Sequence, residues 1–215
     1  MVSQLFFLFW STFVITLSGA LSPGPVLTAT ISETMKRGFW AGPLIMLGHA
    51  ILEISLLIAI VAGLARWLTL PLVMAVLGLA GGLLLIAMGI HMALTAKAAV
   101  EKALSYCGDK RMAVRGPVLT GIITSVSNPY WTLWWATIGL GLAASALKLG
   151  LAGLVSFYLG HILSDLAWYS LVAAAVASGR RICPPWIYRA LFVFCGLVLV
   201  GLGVFFGSTG VAFFL

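Results

Sequence analysis

Gly48-His49-Ala50-Ile51-Leu52-Glu53 lies inside an apolar run, and Gly160-His161-Ile162-Leu163-Ser164-Asp165 repeats its pattern in the second half of the chain. Each copy has a proline break before it and a glycine pair after it. Ser22-Pro23-Gly24-Pro25 precedes the first and Ser127-Asn128-Pro129 the second; Gly82 and Gly89 follow the first, Gly196 and Gly203 the second. The spacings are close: Pro25 to Gly48 is 23 residues against 31 from Pro129 to Gly160, and Glu53 to Gly82 is 29 against 31 from Asp165 to Gly196. Duplicated helix breakers and acids inside apolar sequence are the mark of a secondary transporter.

The composition agrees. Of 215 residues 62% are hydrophobic and 8% charged, against about 25% charged in soluble domains. Apolar runs long enough to span a bilayer, about 20 residues each, fall near 5–30, 39–65, 68–95, 117–143, 149–178 and 187–214. The first is not a signal peptide by its flanks, because the first basic residue is Lys36. The expected fold is an all-α integral membrane protein of six transmembrane helices, arranged as two inverted three-helix repeats. An odd number of spans in each half forces the second copy to enter the membrane in the opposite sense. Residues 1–95 form the first repeat, 96–116 a polar connector and 117–215 the second repeat, with the first and fourth helices broken at proline.

The net charge of +7 does not point to nucleic acid. Lys36, Arg37, Lys97, Lys102, Lys110, Arg111, Arg115, Arg180, Arg181 and Arg189 all fall in loops on one side of the six spans, leaving Arg66 and Lys148 on the other. The positive-inside rule assigns the ten to the cytoplasm of a multi-pass inner-membrane protein and both termini to the extracytoplasmic side. Cys107, Cys183 and Cys195 have no metal-ligand or C-x-x-C spacing. Trp67, Trp186, Tyr188 and Tyr106 fit an aromatic belt at the interfaces. Gly78-x3-Gly82 and Gly203-x3-Gly207 suit close helix packing within the chain and equally permit a homodimer.

The candidate site residues follow from what lipid penalises. Proline removes a backbone donor, and a broken helix in a membrane is tolerated where it is buried in protein or lines a wet cavity. Pro23, Gly24, Pro25 and Pro129 therefore mark a binding region, with Ser22, Ser127 and Asn128 as polar side chains at the same depth and the amides of the restarted helices facing an anion. A proline kink filled by nearby hydroxyls is the alternative. Glu53 and Asp165 are two of five acidic residues, and each sits deep in a span, where an acid costs roughly 2.5–3.5 kcal/mol. His49 and His161 precede them by four residues and share their helical faces. The four suit proton coupling; if they converge they equally suit a divalent-metal site. Trp131, Trp134, Trp135, Trp168 and Tyr169 offer faces to an ammonium group, Trp131 and Trp135 sharing a helical face just after Pro129; lipid-facing bulk is the plainer expectation for this set.

With these residues in hand, a resemblance becomes usable. Leu21-Ser22-Pro23-Gly24-Pro25-Val26, then Lys36-Arg37-Gly38 and a Gly48-centred helix ending in an acid, resembles the opening of the LysE/RhtB family of amino-acid exporters. Ser127-Asn128-Pro129 is similar to that family's Asn-Pro element, and the resemblance covers nearly the whole chain. It implies six hydrophobic segments and efflux of amino acids or similar small solutes driven by a proton or ion gradient. The wider superfamily includes divalent-metal exporters and thiol-electron carriers; the latter need cysteines that the first and fourth spans lack. The Gly-His-x-x-x-acid pairs depart from the family pattern.

The expected mechanism is alternating access, one repeat rocking against the other. The substrate carboxylate meets the broken helices, and Glu53 and Asp165, tuned by His49 and His161, face its ammonium or carry the coupling proton. The alternative keeps the fold and makes the four residues a divalent-cation export site. An enzyme is not expected, since no activated nucleophile, phosphate loop or H-E-x-x-H motif is visible, and no cofactor is implied. The partners are a small-molecule substrate, protons and the lipid bilayer.

Overall fold

The computed structural model describes residues 1–21, 24–68, 70–105, 115–179 and 184–212, and the described residues form helices with no strand among them. In chain order they are α1 (Val2–Ala20), α2 (Pro25–Arg37), α3 (Ala41–Ala59), a kinked turn at Ile60–Leu64, α4 (Ala65–Leu68) and α5 (Pro71–Ser105). The second half holds α6 (Arg115–Val126), α7 (Pro129–Trp134), a π-helical turn at Trp135–Gly139, α8 (Leu140–Leu147), α9 (Gly150–Gly179) and α10 (Pro185–Ala212). Five helical stretches are long and apolar enough to cross a membrane: Val2–Ala20, Ala41–Leu64, Pro71–Glu101, Gly150–Gly179 and Pro185–Ser208. Gly116–Val126 is apolar but shorter. Outward-facing residues such as Phe6, Phe7, Leu83, Leu94, Leu151 and Leu197 are exposed, as lipid contact requires.

The prolines start helices here. Pro25 takes the first position of α2 behind an extended Gly24, and Pro129 takes the first position of α7 behind an extended Asn128. A fixed φ and a missing N–H cost nothing at that position. α2 ends at Gly38, whose φ of 85° is open to glycine and strained for other residues. In its last turn Lys36 and Arg37 pair with Glu33 at 2.8 and 2.7 Å, cations placed where the helix dipole favours them. α5 continues as helix to Ser105, so the polar segment beginning at 96 starts within it. Tyr106, Cys107 and Cys183 lie outside the described residues.

Close crossings assemble the bundle. α5 and α10 pack along a glycine seam: a Cβ built on Gly82 would stand 2.6 Å from the Gly203 carbonyl oxygen, and one on Gly203 would stand 2.6 Å from that of Gly82. Gly89 and Gly196 repeat this reciprocity at 2.4 and 2.6 Å. α3 crosses α6 just as tightly, with Gly48 against the Val118 carbonyl and Gly121 against that of Ile45, each at 2.0 Å from a built Cβ. α9 meets α1 through Gly160, 2.5 Å from the Phe9 carbonyl. Small residues let backbones meet where lipid supplies no hydrophobic drive. Trp67 and Trp186 are exposed, as an interfacial belt requires, whereas Tyr188 is buried in a cluster with Met35, Phe192 and Cys195. Its apolar ring packs inward beside α10's neighbours, which correct its expected place in the belt.

Adding bulk to the seam should loosen the bundle. Gly82→Leu is expected to cost at least the 1–3 kcal/mol typical of overpacking, read as a lower thermal midpoint in detergent. Gly201→Ala, where nothing lies within 4 Å of the new Cβ, should leave the midpoint unchanged.

Candidate functional site

Two turns of α3 and two of α9 carry the ionisable residues, and both faces turn inward. His49, Glu53, His161 and Asp165 are all buried, Glu53 to 1% exposure. One ligand atom from each lies within 4.8 Å of the others. Glu53 Oε1 is the point on which they close: His161 Nε2 is 2.9 Å away and His49 Nε2 3.0 Å. The same two nitrogens lie 3.5 Å (His49) and 3.6 Å (His161) from Asp165 Oδ2. Each imidazole thus bridges the acid of its own helix and the acid of the other.

The opposite ring nitrogens are held by hydroxyls. His49 Nδ1 lies 2.6 Å from Ser125 Oγ, and His161 Nδ1 lies 2.8 Å from Thr16 Oγ1. Ser125 sits on α6, across the crossing built by Gly48 and Gly121; Thr16 sits on α1, across the crossing built by Gly160. The Ser125 hydroxyl also lies 2.7 Å from the Gly121 carbonyl, to which it donates, leaving its lone pairs to the imidazole. His49 thus turns Nδ1 to the hydroxyl and presents Nε2 to the carboxylates.

Two indoles complete the surroundings of Glu53. Trp131 Nε1 and Trp135 Nε1 donate to Glu53 Oε1 at 3.0 and 2.9 Å. Trp135 belongs to the π-helical turn, a local widening that occurs often at functional sites, and its ring is 1% exposed. Trp134 packs against His161 with ring centroids 4.7 Å apart and planes tilted by 45°. The expectation of lipid-facing bulk is therefore corrected for Trp134, Trp135 and Tyr169, which are buried. An indole N–H is a polar group that lipid cannot satisfy, and the buried carboxylate supplies its acceptor. Glu53 Oε2 is buried and has no hydrogen-bond partner among the described residues.

A cavity of about 60 Å³ opens beside this cluster, lined by the four ionisable residues together with Gly24, Asn128, Trp131, Tyr169 and their neighbours. The structure thus brings Gly24, Asn128 and Trp131 to the cluster. Ser22 and Pro23 lie outside the described residues, as does the side chain of Pro129. Pro25 is buried at the start of α2, and Ser127 turns its hydroxyl back to the Ile123 carbonyl. The two helix starts differ. Asn128 caps α7 with its own side chain, which accepts from the Tyr130 amide at 3.2 Å, and its carbonyl accepts from the Trp131 amide at 3.0 Å. Gly24, at the matching place before α2, has no side chain with which to cap it.

Thr16, Ser125 and the donor role of Trp135 were not singled out from the sequence. No spacing distinguishes these hydroxyls from Thr12 or Thr124, because the partner of each lies on a distant helix.

The family model for LysE type translocators matches residues 17–210. A Bacillus subtilis protein named "Putative amino acid efflux protein YcgF" is 29% identical over 205 residues, covering 95% of this chain and 97% of that protein. A Pseudomonas aeruginosa protein named "Chemotactic transduction protein ChpE" is 28% identical over 183 residues, covering 85% and 88%. No solved structure matches the chain.

The indole donors can be tested directly. Trp135→Phe deletes the N–H together with the five-membered part of the ring, and is expected to cost more than about 1.5–3 kcal/mol, the range for a hydrogen bond to a charged group alone. On a Glu53→Gln background the same change should cost clearly less. A double-mutant cycle of thermal or denaturant midpoints reads the coupling, and additive costs would contradict it.

Proposed function

The chain belongs to the LysE type translocators, matched over residues 17–210, a family of membrane transporters and not of enzymes, and we propose that it exports amino acids or closely related small solutes by alternating access, driven by the proton gradient. The observation that carries this reading is the convergence of His49, Glu53, His161 and Asp165 beside the start of α2 at Gly24. An amino acid presents a carboxylate and an ammonium group side by side. A helix start attracts the first, and buried carboxylates attract the second.

In this reading the solute's carboxylate meets the amides following Pro25, because Asn128 already occupies those following Pro129. Its ammonium faces Glu53 Oε2 and Asp165, with Trp131 alongside. When the solute leaves, protons take its place on the cluster, and the return of the protonated site carries the coupling. The chain would sit in the inner membrane as two inverted three-helix repeats, with the basic loops cytoplasmic and both termini outside. The name of the Bacillus subtilis relative supports an amino-acid solute.

Cells overproducing the chain should retain less of one or more labelled amino acids than cells producing Glu53→Gln or Asp165→Asn at equal membrane level. Dissipating the proton gradient should remove the difference. If retention of every amino acid is the same with wild type and with Glu53→Gln, the reading fails.

A further inference from the structure

The four residues that make the candidate site also have the donor set and spacing of a metal centre. From the donor geometry, whatever solute the chain exports, we propose that His49 Nε2, His161 Nε2, Glu53 Oε1 and Asp165 Oδ2 bind one divalent cation of the zinc class.

Zinc takes imidazole nitrogen and carboxylate oxygen at about 2.0–2.1 Å in a tetrahedron, which sets ligand atoms roughly 3.3–3.4 Å apart. The four nitrogen-to-oxygen separations here are 2.9, 3.0, 3.5 and 3.6 Å, and they bracket that edge. All four ligand atoms lie within 4.8 Å of one another. Imidazole with carboxylate selects zinc and its first-row neighbours over calcium or magnesium, which prefer oxygen alone.

The orientation of the histidines favours the same conclusion. Metal-bound histidines hold their second nitrogen in a hydrogen bond that fixes tautomer and ring direction. Ser125 does this for His49, with its own hydrogen spent on the Gly121 carbonyl, and Thr16 occupies the matching place at His161. Nε2 of His49 then faces Glu53 Oε1 at 3.0 Å, and a cation would take the place of the proton between them. Glu53 Oε2, buried without a partner, stands ready as a further ligand. The two indole donors remain on Glu53 Oε1 and hold the carboxylate in place. Because the cation and an ammonium group would use the same carboxylates, the two loads exclude each other.

The test uses the full chain, purified in detergent on a histidine-free tag, stripped of metal and titrated with Co²⁺. The expected result is the visible absorption of four-coordinate cobalt, saturating at one equivalent and lost on adding one equivalent of Zn²⁺. His49→Ala and His161→Ala should each abolish it. His91→Ala, on the exposed side of α5, should leave it unchanged. Ser125→Ala, measured on metal-free protein that elutes as a folded, monodisperse species, should weaken binding by about 10–100-fold. No saturable band, or a band that survives in His49→Ala/His161→Ala, overturns the proposal. If the histidine variants do not fold, an unchanged affinity in Ser125→Ala overturns it. No flux enters the readout, so efflux without a cobalt band removes the metal site alone, and a band without efflux removes the amino-acid reading alone.

Discussion

The carboxylate of Glu53 is the constraint on which the bundle turns. An acid held away from water at the middle of a membrane helix costs several kcal/mol unless the protein supplies donors. Here they come from four directions onto one oxygen: His49 from the same helix, His161 from α9, Trp131 from α7 and Trp135 from the π-helical turn. Ser125 on α6 and Thr16 on α1 then hold the histidines. A single oxygen atom thereby specifies the relative placement of α1, α3, α6, α7 and α9. Loss of any one donor is felt on elements distant in sequence.

Glycine makes those distances reachable. The hydroxyl of Ser125 meets His49 because α3 and α6 approach to backbone contact at Gly48 and Gly121, and Gly160 does the same for α9 and α1. The glycine that precedes each histidine therefore belongs to the site as much as the histidine does. It determines that the imidazole's far nitrogen finds a hydroxyl on the crossing helix. The α5–α10 seam uses the same device without polar chemistry.

Much of this was legible in the chain because lipid makes polar residues conspicuous. Glu53 and Asp165 stand out inside apolar runs, their histidines share their helical faces by simple periodicity, and prolines mark where helices restart. That the two pairs meet was not legible, since it depends on crossings between helices far apart in sequence. Ser125 and Thr16 were hidden for the same reason, each being one hydroxyl among several. Trp135 illustrates another limit: its position after Pro129 suggested a ring face, but the widened turn at Trp135–Gly139 aims its N–H edge at Glu53. Tyr188, expected at an interface, is buried in the bundle because α10 turns that face toward α2 and its neighbours.

The crossings also say which parts can travel together. α3 is locked to α6, and α1 to α9, by contacts in which a carbonyl oxygen rests against the space where a Cβ would be. Each lock joins a helix from one half of the chain to a helix from the other. A rearrangement hinged at the midpoint of the sequence would pull both apart and strip His49 and His161 of their hydroxyls. The tightest crossings are therefore mixed pairs, α3 with α6 and α1 with α9, and the ionisable cluster lies where the two pairs meet. Glu53 is the tie between the pairs: it belongs to α3 and meets His161 of α9, so a change in the protonation or loading of that one contact is felt on both crossings at once.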